Sequence, residues 1–457
     1  MRFPAALRRI GCRGPRAAAW VFVGSLALYL SNGRVVGQVD AWPNSLLSVA
    51  ILVDGTLTFD RLYEGAGRAP PSVFITTPHG LVGAYPIATG LLALPFYALP
   101  IAVEAAVARP SAEGWIRFGW RFQKLPAAAF AALAVAVFWG LCRALGFAEP
   151  LSVGLTLWVA LASENFGTAA QSLWQHGPGT LAILVAVGAQ LALSRRPSAA
   201  AALVFSAASG LAVAVRPTNA LILAPFAVAA LWRRPGSLLP LAAPAVLLLA
   251  LVAAYNLYFF DDLLGGYGSY VSSFAASRLG PGLAGVLVSP GRGLFLYYPL
   301  ALVAFGLLAW RPRTLADPTM AAAAFAVVAT ILLVASRDVW WGGWSYGPRY
   351  LSEIEPLIAL LVGLSWRELG PGARRILGIA CFGLLLPWSV LVQMVGVYSP
   401  SAIAWNGIPS NVDFAPDRLW DLADNPISRG LHLRSATPPE GSGSAPVRPA
   451  PPSAPPG

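Results

Sequence analysis

Between Met1 and Val53 the chain carries one carboxylate, Asp40, in the stretch Gly37-Gln38-Val39-Asp40-Ala41-Trp42-Pro43-Asn44. It lies just beyond the first apolar run, near the start of the first long polar segment, 34–80. An aspartate held at a water–lipid boundary can take a proton from a hydroxyl if its geometry is right. Taken alone, it also reads as a solvated loop charge. Its neighbourhood favours chemistry: Asp54, Asp60 and Glu64 follow in the same segment, and Trp42 and Tyr63 are residue types that settle at headgroup level.

A second concentration is Trp340-Trp341-Gly342-Gly343-Trp344-Ser345-Tyr346-Gly347-Pro348-Arg349-Tyr350. Glycines between bulky aromatics let backbone approach a ligand closely, and the faces of Trp341 and Tyr346 suit flat, hydroxylated rings. Arg349, with Arg337 nearby, has the planar fork that matches phosphate. An aromatic belt at the water boundary is the plainer reading. Glu353 and Glu355 enter the next apolar run, where ionisable groups are functional or paired more often than idle. For Glu353 a structural pair with Arg349 is the alternative to substrate binding.

Three further features complete the set. Ser289-Pro290-Gly291-Arg292-Gly293 is either a phosphate cradle of backbone N–H groups around Arg292 or a plain turn. Asp261-Asp262 either caps a helix or holds a divalent cation. His79, Tyr85, Gln175 and His176 fall in polar connections and are candidate substrate contacts. No nucleotide-binding glycine loop, Ser-centred elbow or Cys/His metal spacing occurs. Cys12, Cys142 and Cys381 are too scattered for a disulfide framework. No metal or other cofactor is expected, although a divalent ion is compatible with the residues.

The elements that must position these residues are helices in a bilayer. The chain is 57% hydrophobic and only 11% charged, where a soluble domain carries about twice that charged fraction. Apolar runs near the length of a bilayer recur throughout. The formal charge of +11 excludes little by itself, because the arginines cluster at the ends of apolar runs and so report topology rather than nucleic-acid binding. An uncleaved first helix, 17–33, follows the basic segment 1–16. Further spans are expected near 124–145, 150–167, 177–195, 199–215, 218–232, 238–259, 293–310, 318–336, 350–366 and 376–397. The stretch 81–108, interrupted by Pro86, Pro95 and Pro100, is expected to dip in and return or to lie as a broken helix. Pro43 to Val53 is expected to lie along the interface. That arrangement leaves Arg143, Arg195-Arg196, Arg233-Arg234, Arg311, Arg313, Arg367 and Arg374-Arg375 on the cytoplasmic side. It places Arg109, Arg117, Arg121 and Lys124 outside, against the trend. The N-terminus is then inside and the C-terminus outside. The body spans 17–398, an outer-face tail 399–434, and a Pro/Ser/Gly-rich tail 435–457 is expected to be disordered.

Asp40, the apolar helix after it, Asp54-Gly55-Thr56-Leu57 and Tyr63 resemble the first outer loop of GT-C membrane glycosyltransferases. The bacterial protein-mannosyltransferase and aminoarabinose-transferase type, family-39-like, is the nearest pattern. Thr77-Pro78-His79-Gly80 with Tyr85-Pro86 and Pro95-Phe96-Tyr97 is similar to that family's His-Pro-Pro helix start. Lys124 to Gly146 looks like the following helix, and Arg216-Pro217-Thr218 like a family turn. The resemblance covers roughly 20–235. It implies an all-α polytopic body of about eleven spans with a long first outer loop, located in the cell inner membrane. It further implies Asp40 as catalytic base, a polyprenyl-phosphate sugar as donor, and a glycan, lipid or protein acceptor of the cell envelope. A lipid or glycolipid transporter or flippase is the reading from another class; it predicts mid-span charges and paired halves with broken helices.

Overall fold

The computed structural model describes residues 13–233 and 238–431. The basic residues 1–12, Arg234 and the Pro/Ser/Gly-rich tail lie outside the described residues. The rest is helical, with a single two-stranded hairpin among the described residues. Among the described residues, six helices are long and apolar enough to cross a membrane, and shorter apolar helices accompany them. The chain is an all-α, multi-pass membrane protein.

α1 (Arg13–Leu30) leads into the first polar segment, which holds α2 (Trp42–Val49), α3 (Asp60–Gly65) and the strands β1 (Phe74–Thr77) and β2 (Gly80–Gly83). α4 (Ala88–Val107), α5 (Ala112–Phe122), α6 (Lys124–Ala144) and α7 (Glu149–Leu161) follow. Next come α8 (His176–Arg195), α9 (Ala199–Val215), α10 (Asn219–Arg233) and α11 (Leu238–Phe260). The second half holds α12 (Leu279–Val288), α13 (Leu294–Tyr297), α14 (Leu300–Trp310), α15 (Pro318–Ala335) and α16 (Glu355–Trp366). α17 (Pro371–Gly378) runs through a π-helical segment into α18 (Leu386–Tyr398), and α19 (Pro400–Ala404) and α20 (Pro426–Gly430) close the tail.

The core is built on α6, whose buried face is largely alanine: Ala127, Ala128, Ala129, Ala131, Ala132 and Ala134. In a bilayer apolar area alone does not drive helices together, and small residues that admit close backbone approach do. α1, α7 and α8 all pack on α6. Polar ties then fix register: the Tyr29 hydroxyl donates to the Ala160 carbonyl at 2.8 Å, and Asn165 Nδ2 donates to the Tyr29 oxygen at 2.9 Å.

The helix ends sort into two faces. At one, Arg195 Nη2 reaches the Ala144 carbonyl at 2.7 Å, Arg367 bonds the Leu145 carbonyl, and Arg143 Nη1 holds the Phe147 carbonyl at 2.8 Å. The basic ends of α6, α8 and α16 therefore meet there. At the opposite face, Arg34 bonds the Val397 carbonyl beyond α1, and Lys124 bonds Gln171 at the start of α6.

Three local expectations change. The stretch 81–108 is not a broken helix: α4 continues through Pro95 and Pro100, as apolar helices tolerate. Yet α5 packs on α2 and α3, and Arg68 pairs with Glu113 at 3.3 Å. The chain after α4 thus returns to the face from which it left. The segment Pro43 to Val53, expected along the interface, holds α2, which is buried against α4 and α5. Residues 77–80 are not a helix start. They form the turn of the β1–β2 hairpin, closed by Thr77 Oγ1 donating to the Gly80 carbonyl at 2.8 Å and by Leu81 N–H donating to the Asp60 carboxylate. Gly80 has φ 116°, a conformation that favours glycine. Last, 293–310 is divided by Pro299 into α13 and α14, because proline has no N–H to continue the ladder.

Candidate functional site

Asp40 sits in a 3₁₀ turn, Val39–Ala41, that feeds directly into α2. Arg349 sits in another, Arg349–Leu351, ahead of α16. The two meet across 309 residues: Arg349 Nη2 donates to Asp40 Oδ2 at 2.9 Å. Arg349 is buried, and the Asp40 side chain is 25% exposed. One carboxylate oxygen is thus oriented by a fixed guanidinium, and Oδ1 has no protein donor among the described residues. Burial disfavours the charged guanidinium, but Asp40, Tyr350 and Tyr85 together outweigh it and raise the Arg349 pKa. Trp174 lies against the Arg349 face at 4.6 Å.

Around this pair stands a cage of phenols and guanidiniums. Tyr350 has three arginines about its ring: Arg337 at 4.7 Å, Arg349 at 5.2 Å and Arg216 at 5.4 Å from the centroid. Burial raises the Tyr350 pKa, and Arg349 with Arg337 more than reverses it. Tyr85 lies 6.1 Å from Tyr267, which lies 5.7 Å from Tyr270. Burial first, and then Asp40, push the Tyr85 hydroxyl far up, so it stays a neutral donor. Arg337 Nε and Arg349 Nε are buried without a partner. Two unsatisfied guanidinium N–H groups, aromatic walls and one open carboxylate oxygen form a site that accepts an anion beside a base.

Next to it lies the most buried ion pair of the protein's described part. Arg216 Nη1 donates to both oxygens of Glu353, at 2.8 and 2.9 Å, and His176 Nδ1 lies 2.9 Å from Glu353 Oε1. Burial would raise the Glu353 pKa, but Arg216 and His176 together hold it down to about 2. The alternative Arg349–Glu353 pair does not form. Four-residue spacing brings side chains together only on an α-helix, and α16 begins at Glu355, after the 3₁₀ turn.

Glu164 is fully buried between α7 and the π-helical segment Asn165–Ala169. Thr168 Oγ1 donates to its Oε2 at 2.5 Å, and Gln393 Nε2 to its Oε1 at 3.3 Å. A Cβ on Gly347 would stand 2.0 Å from Glu164 Oε1, and Gly347 itself has φ 65°. Glycine there lets the aromatic segment close over the carboxyl. Burial pushes the Glu164 pKa up to about 7. The folded state thus holds a proton that the unfolded chain releases near 4.5, so this group costs stability increasingly as pH rises from about 4.5 to 7. Glu164→Gln is expected to raise the thermal stability of the solubilised protein at pH 8 and to leave it near wild type at pH 4.5. Equal shifts at both pH values would refute the assignment.

Of the expected site residues, Asp40, Tyr85, Gln175, His176, Arg349 and Glu353 come together, Gln175 accepting from the Tyr267 hydroxyl at 2.7 Å. Four do not join them. His79 is exposed at the hairpin turn, stacked on Tyr258 at 4.1 Å. Arg292 is 1% exposed, and its Nη1 and Nη2 are taken by the Gly291 and Ser345 carbonyls and by Asn406. Buried with those three acceptors, it ties the tail to the body, and its Nε, like those of Arg337 and Arg349, has no partner among the described residues. Trp341 donates its indole N–H to Asp413 at 2.8 Å, and the Tyr346 hydroxyl donates to the Val392 carbonyl at 2.6 Å. Asp262 Oδ1 accepts from the Leu264 N–H at 2.6 Å, a local turn. Among the described residues no group of three His, Cys, Asp or Glu side chains forms a metal cradle.

Sequence reasoning did not single out Tyr267, Tyr270 or Tyr350 as site residues, and it placed Arg216 only within a turn. Arg216 carried a signal: it is a lone arginine at the end of an apolar run opposite the basic ends. Tyr350 carried one, as the last residue of the Trp340–Tyr350 stretch beside Arg349; Tyr267 and Tyr270 carried none, since their proximity arises from a connection, 261–278, that folds back over the site.

No family model matches the chain, and no curated protein matches it. Among solved structures it is similar to ArnT from Cupriavidus metallidurans in the apo state, at 17% identity and a TM-score of 0.44. That alignment covers 86% of this chain and 65% of the other, so the chain spans about two thirds of that structure's length.

Proposed function

We propose that the chain is an inverting glycosyltransferase of the GT-C type, moving a sugar from a polyprenyl-phosphate donor to a cell-envelope acceptor. The observation that carries this reading is an aspartate with one free oxygen beside buried, unsatisfied guanidinium N–H groups. The order of motifs from Asp40 to Arg216 in the sequence supports it. The donor phosphate lies against Arg337 and Arg349, and its sugar stacks among Tyr85, Tyr267, Tyr270 and Tyr350. Asp40 Oδ1 takes the proton of an acceptor hydroxyl as that oxygen bonds to the anomeric carbon. The bond from the anomeric carbon to the phosphate oxygen breaks, configuration inverts, and polyprenyl phosphate leaves with the bonding pair. A phosphate leaving group needs its charge stabilised rather than a strong acid. Arg292, expected to share this work, is replaced by Arg337.

The arginine-rich helix ends face the cytoplasm, by the positive-inside rule, which puts Asp40 on the outer face of the inner membrane. The N-terminus is then cytoplasmic and the C-terminus outside.

The test is purified protein in vesicles with a radiolabelled polyprenyl-phosphate sugar and an envelope lipid extract. Release of polyprenyl phosphate with a labelled product is expected. Movement of intact donor between leaflets with no product would instead identify a flippase.

A further inference from the structure

The connection 170–175, between the π-helical segment Asn165–Ala169 and α8, joins the two halves of the site. On one side it grips the loop that carries Asp40. Val36 N–H donates to the Gln171 carbonyl at 3.2 Å, and Asn44 Nδ2 donates to the Leu173 carbonyl at 3.0 Å. Residues 36 and 44 flank Asp40 evenly, so the loop is held before and after the carboxylate. Gly37 lies so close to the connection that a Cβ there would stand 2.3 Å from Ser172 Oγ. On the other side, the Trp174 ring centroid lies 4.6 Å from the Arg349 guanidinium.

The connection is anchored in turn from within the protein. Gln123, fully buried between α5 and α6, accepts at Oε1 from Ser172 Oγ at 2.7 Å and from the Leu173 N–H at 3.0 Å. Trp174 follows directly and is 5% exposed. The indole is therefore presented to Arg349 from a fixed support.

What a stacked indole does for a guanidinium follows from shape. The ring covers a π-face of the cation and competes with none of its N–H groups, which point outward in the guanidinium plane. Nη2 thus stays bonded to Asp40 at 2.9 Å while Nε, buried and unpartnered, stays open to an oxyanion. Gly342 keeps that edge clear, since a Cβ there would stand 3.1 Å from Nε. Tyr350 also lies near Arg349, at 5.2 Å, but its ring is shared with Arg337 and Arg216. Among the described residues, Trp174 is the aromatic face given to Arg349 alone among the guanidiniums.

We propose that Trp174 is the positioning residue of the Asp40–Arg349 pair. It fixes the plane of the guanidinium, and through it the carboxylate whose free oxygen faces the acceptor. The kinetic consequence rests on the glycosyl-transfer reading; the coupling of Trp174 to Arg349 does not.

The experiment is a double-variant cycle between Trp174 and Arg349 in the full chain. It is read by single-turnover release of polyprenyl phosphate and, separately, by half-life at fixed temperature in detergent. Trp174→Leu keeps apolar bulk but removes the ring face, and it is expected to lower the plateau rate about 10–30-fold, the rate equivalent of a desolvated cation–π contact. Trp174→Phe keeps a ring face and is expected to stay within about fivefold of wild type. In an Arg349→Met background the same Trp174→Leu change is expected to alter the plateau less than about threefold, because no guanidinium remains to be held. In half-life, the loss in the double variant is expected to be smaller than the two single losses combined. A Leu variant at the wild-type plateau, or a Phe variant as slow as the Leu one, would overturn the proposal. So would a Leu variant slowed by the same factor with and without Arg349, the additive result of a merely structural role. Should the wild type release no labelled product, the transfer reading falls and the half-life cycle still decides the contact. Additive losses would then overturn it, and coupled losses would keep Trp174 as the positioner of a binding site.

Discussion

Asp40→Asn is expected to lower sugar transfer by about 10²–10⁴-fold, the range that a positioned general base supplies, while leaving donor binding within a few-fold of wild type. The substitution is nearly isosteric. The Asn carbonyl oxygen can still accept the bond from Arg349 Nη2, now 2.9 Å from the carboxylate, so the turn and the guanidinium keep their places. What disappears is the site for the proton. Asp40→Glu keeps the proton site but displaces it by one methylene, and it is expected to recover part of the rate. Single-turnover release of polyprenyl phosphate separates the two effects, because donor binding is read from the concentration dependence and chemistry from the plateau. A plateau within threefold of wild type in the Asn variant would remove Asp40 from the chemistry. It would leave the three-arginine cage as a binding site only.

The membrane body was legible in the sequence because its cause is local. Apolar runs and the arginines that end them can be read residue by residue, and α6, α8, α9 and α15 fall close to where those runs lie. The Asp40 position was legible for a similar reason: it is the single carboxylate in its region. Its partner was not. The Asp40–Arg349 contact joins residues 309 apart, and no spacing rule reaches that far. Four-residue spacing pointed instead to Arg349 with Glu353, a geometry valid only on an α-helix. The 3₁₀ turn at 349–351 turns the two side chains to different partners. Arg292 shows the converse failure. Its Gly-Arg-Gly setting looks like an open cradle, but whether an arginine is free or consumed depends on which carbonyls the tail brings to it. Here the tail supplies the Asn406 side chain, and the Trp340–Tyr350 stretch supplies the Ser345 carbonyl. The basic residues at 117–124 looked like a violation of the charge rule. In the fold they line one cavity beside α2, together with Arg34 and Arg68.

The second large effect concerns the ion pair behind the site. Arg216→Met is expected to destabilise the protein by about 3–5 kcal/mol, the cost of stranding a buried partner charge, with Glu353 1% exposed. Glu353→Leu strands Arg216 and is expected to cost a similar amount. The double variant removes both charges at once, and it is expected to recover most of the loss, since an apolar pair of similar volume can match a buried ion pair. Because unfolding of such proteins is commonly irreversible, the measurement is the half-life at fixed temperature in detergent. Additive losses in the double variant would show that the two residues do not act as a pair. The pH dependence has a definite sign. Glu353 is held at about 2, below its ordinary 4.5, so its contribution is complete above pH 4.5 and is lost as pH falls towards 2. The double variant must therefore lose less stability than wild type between those values. Its transfer activity is a separate matter, because Arg216 also lies over the Tyr350 ring. A double variant restored in half-life but still slow in transfer would place Arg216 in substrate positioning as well as in the fold.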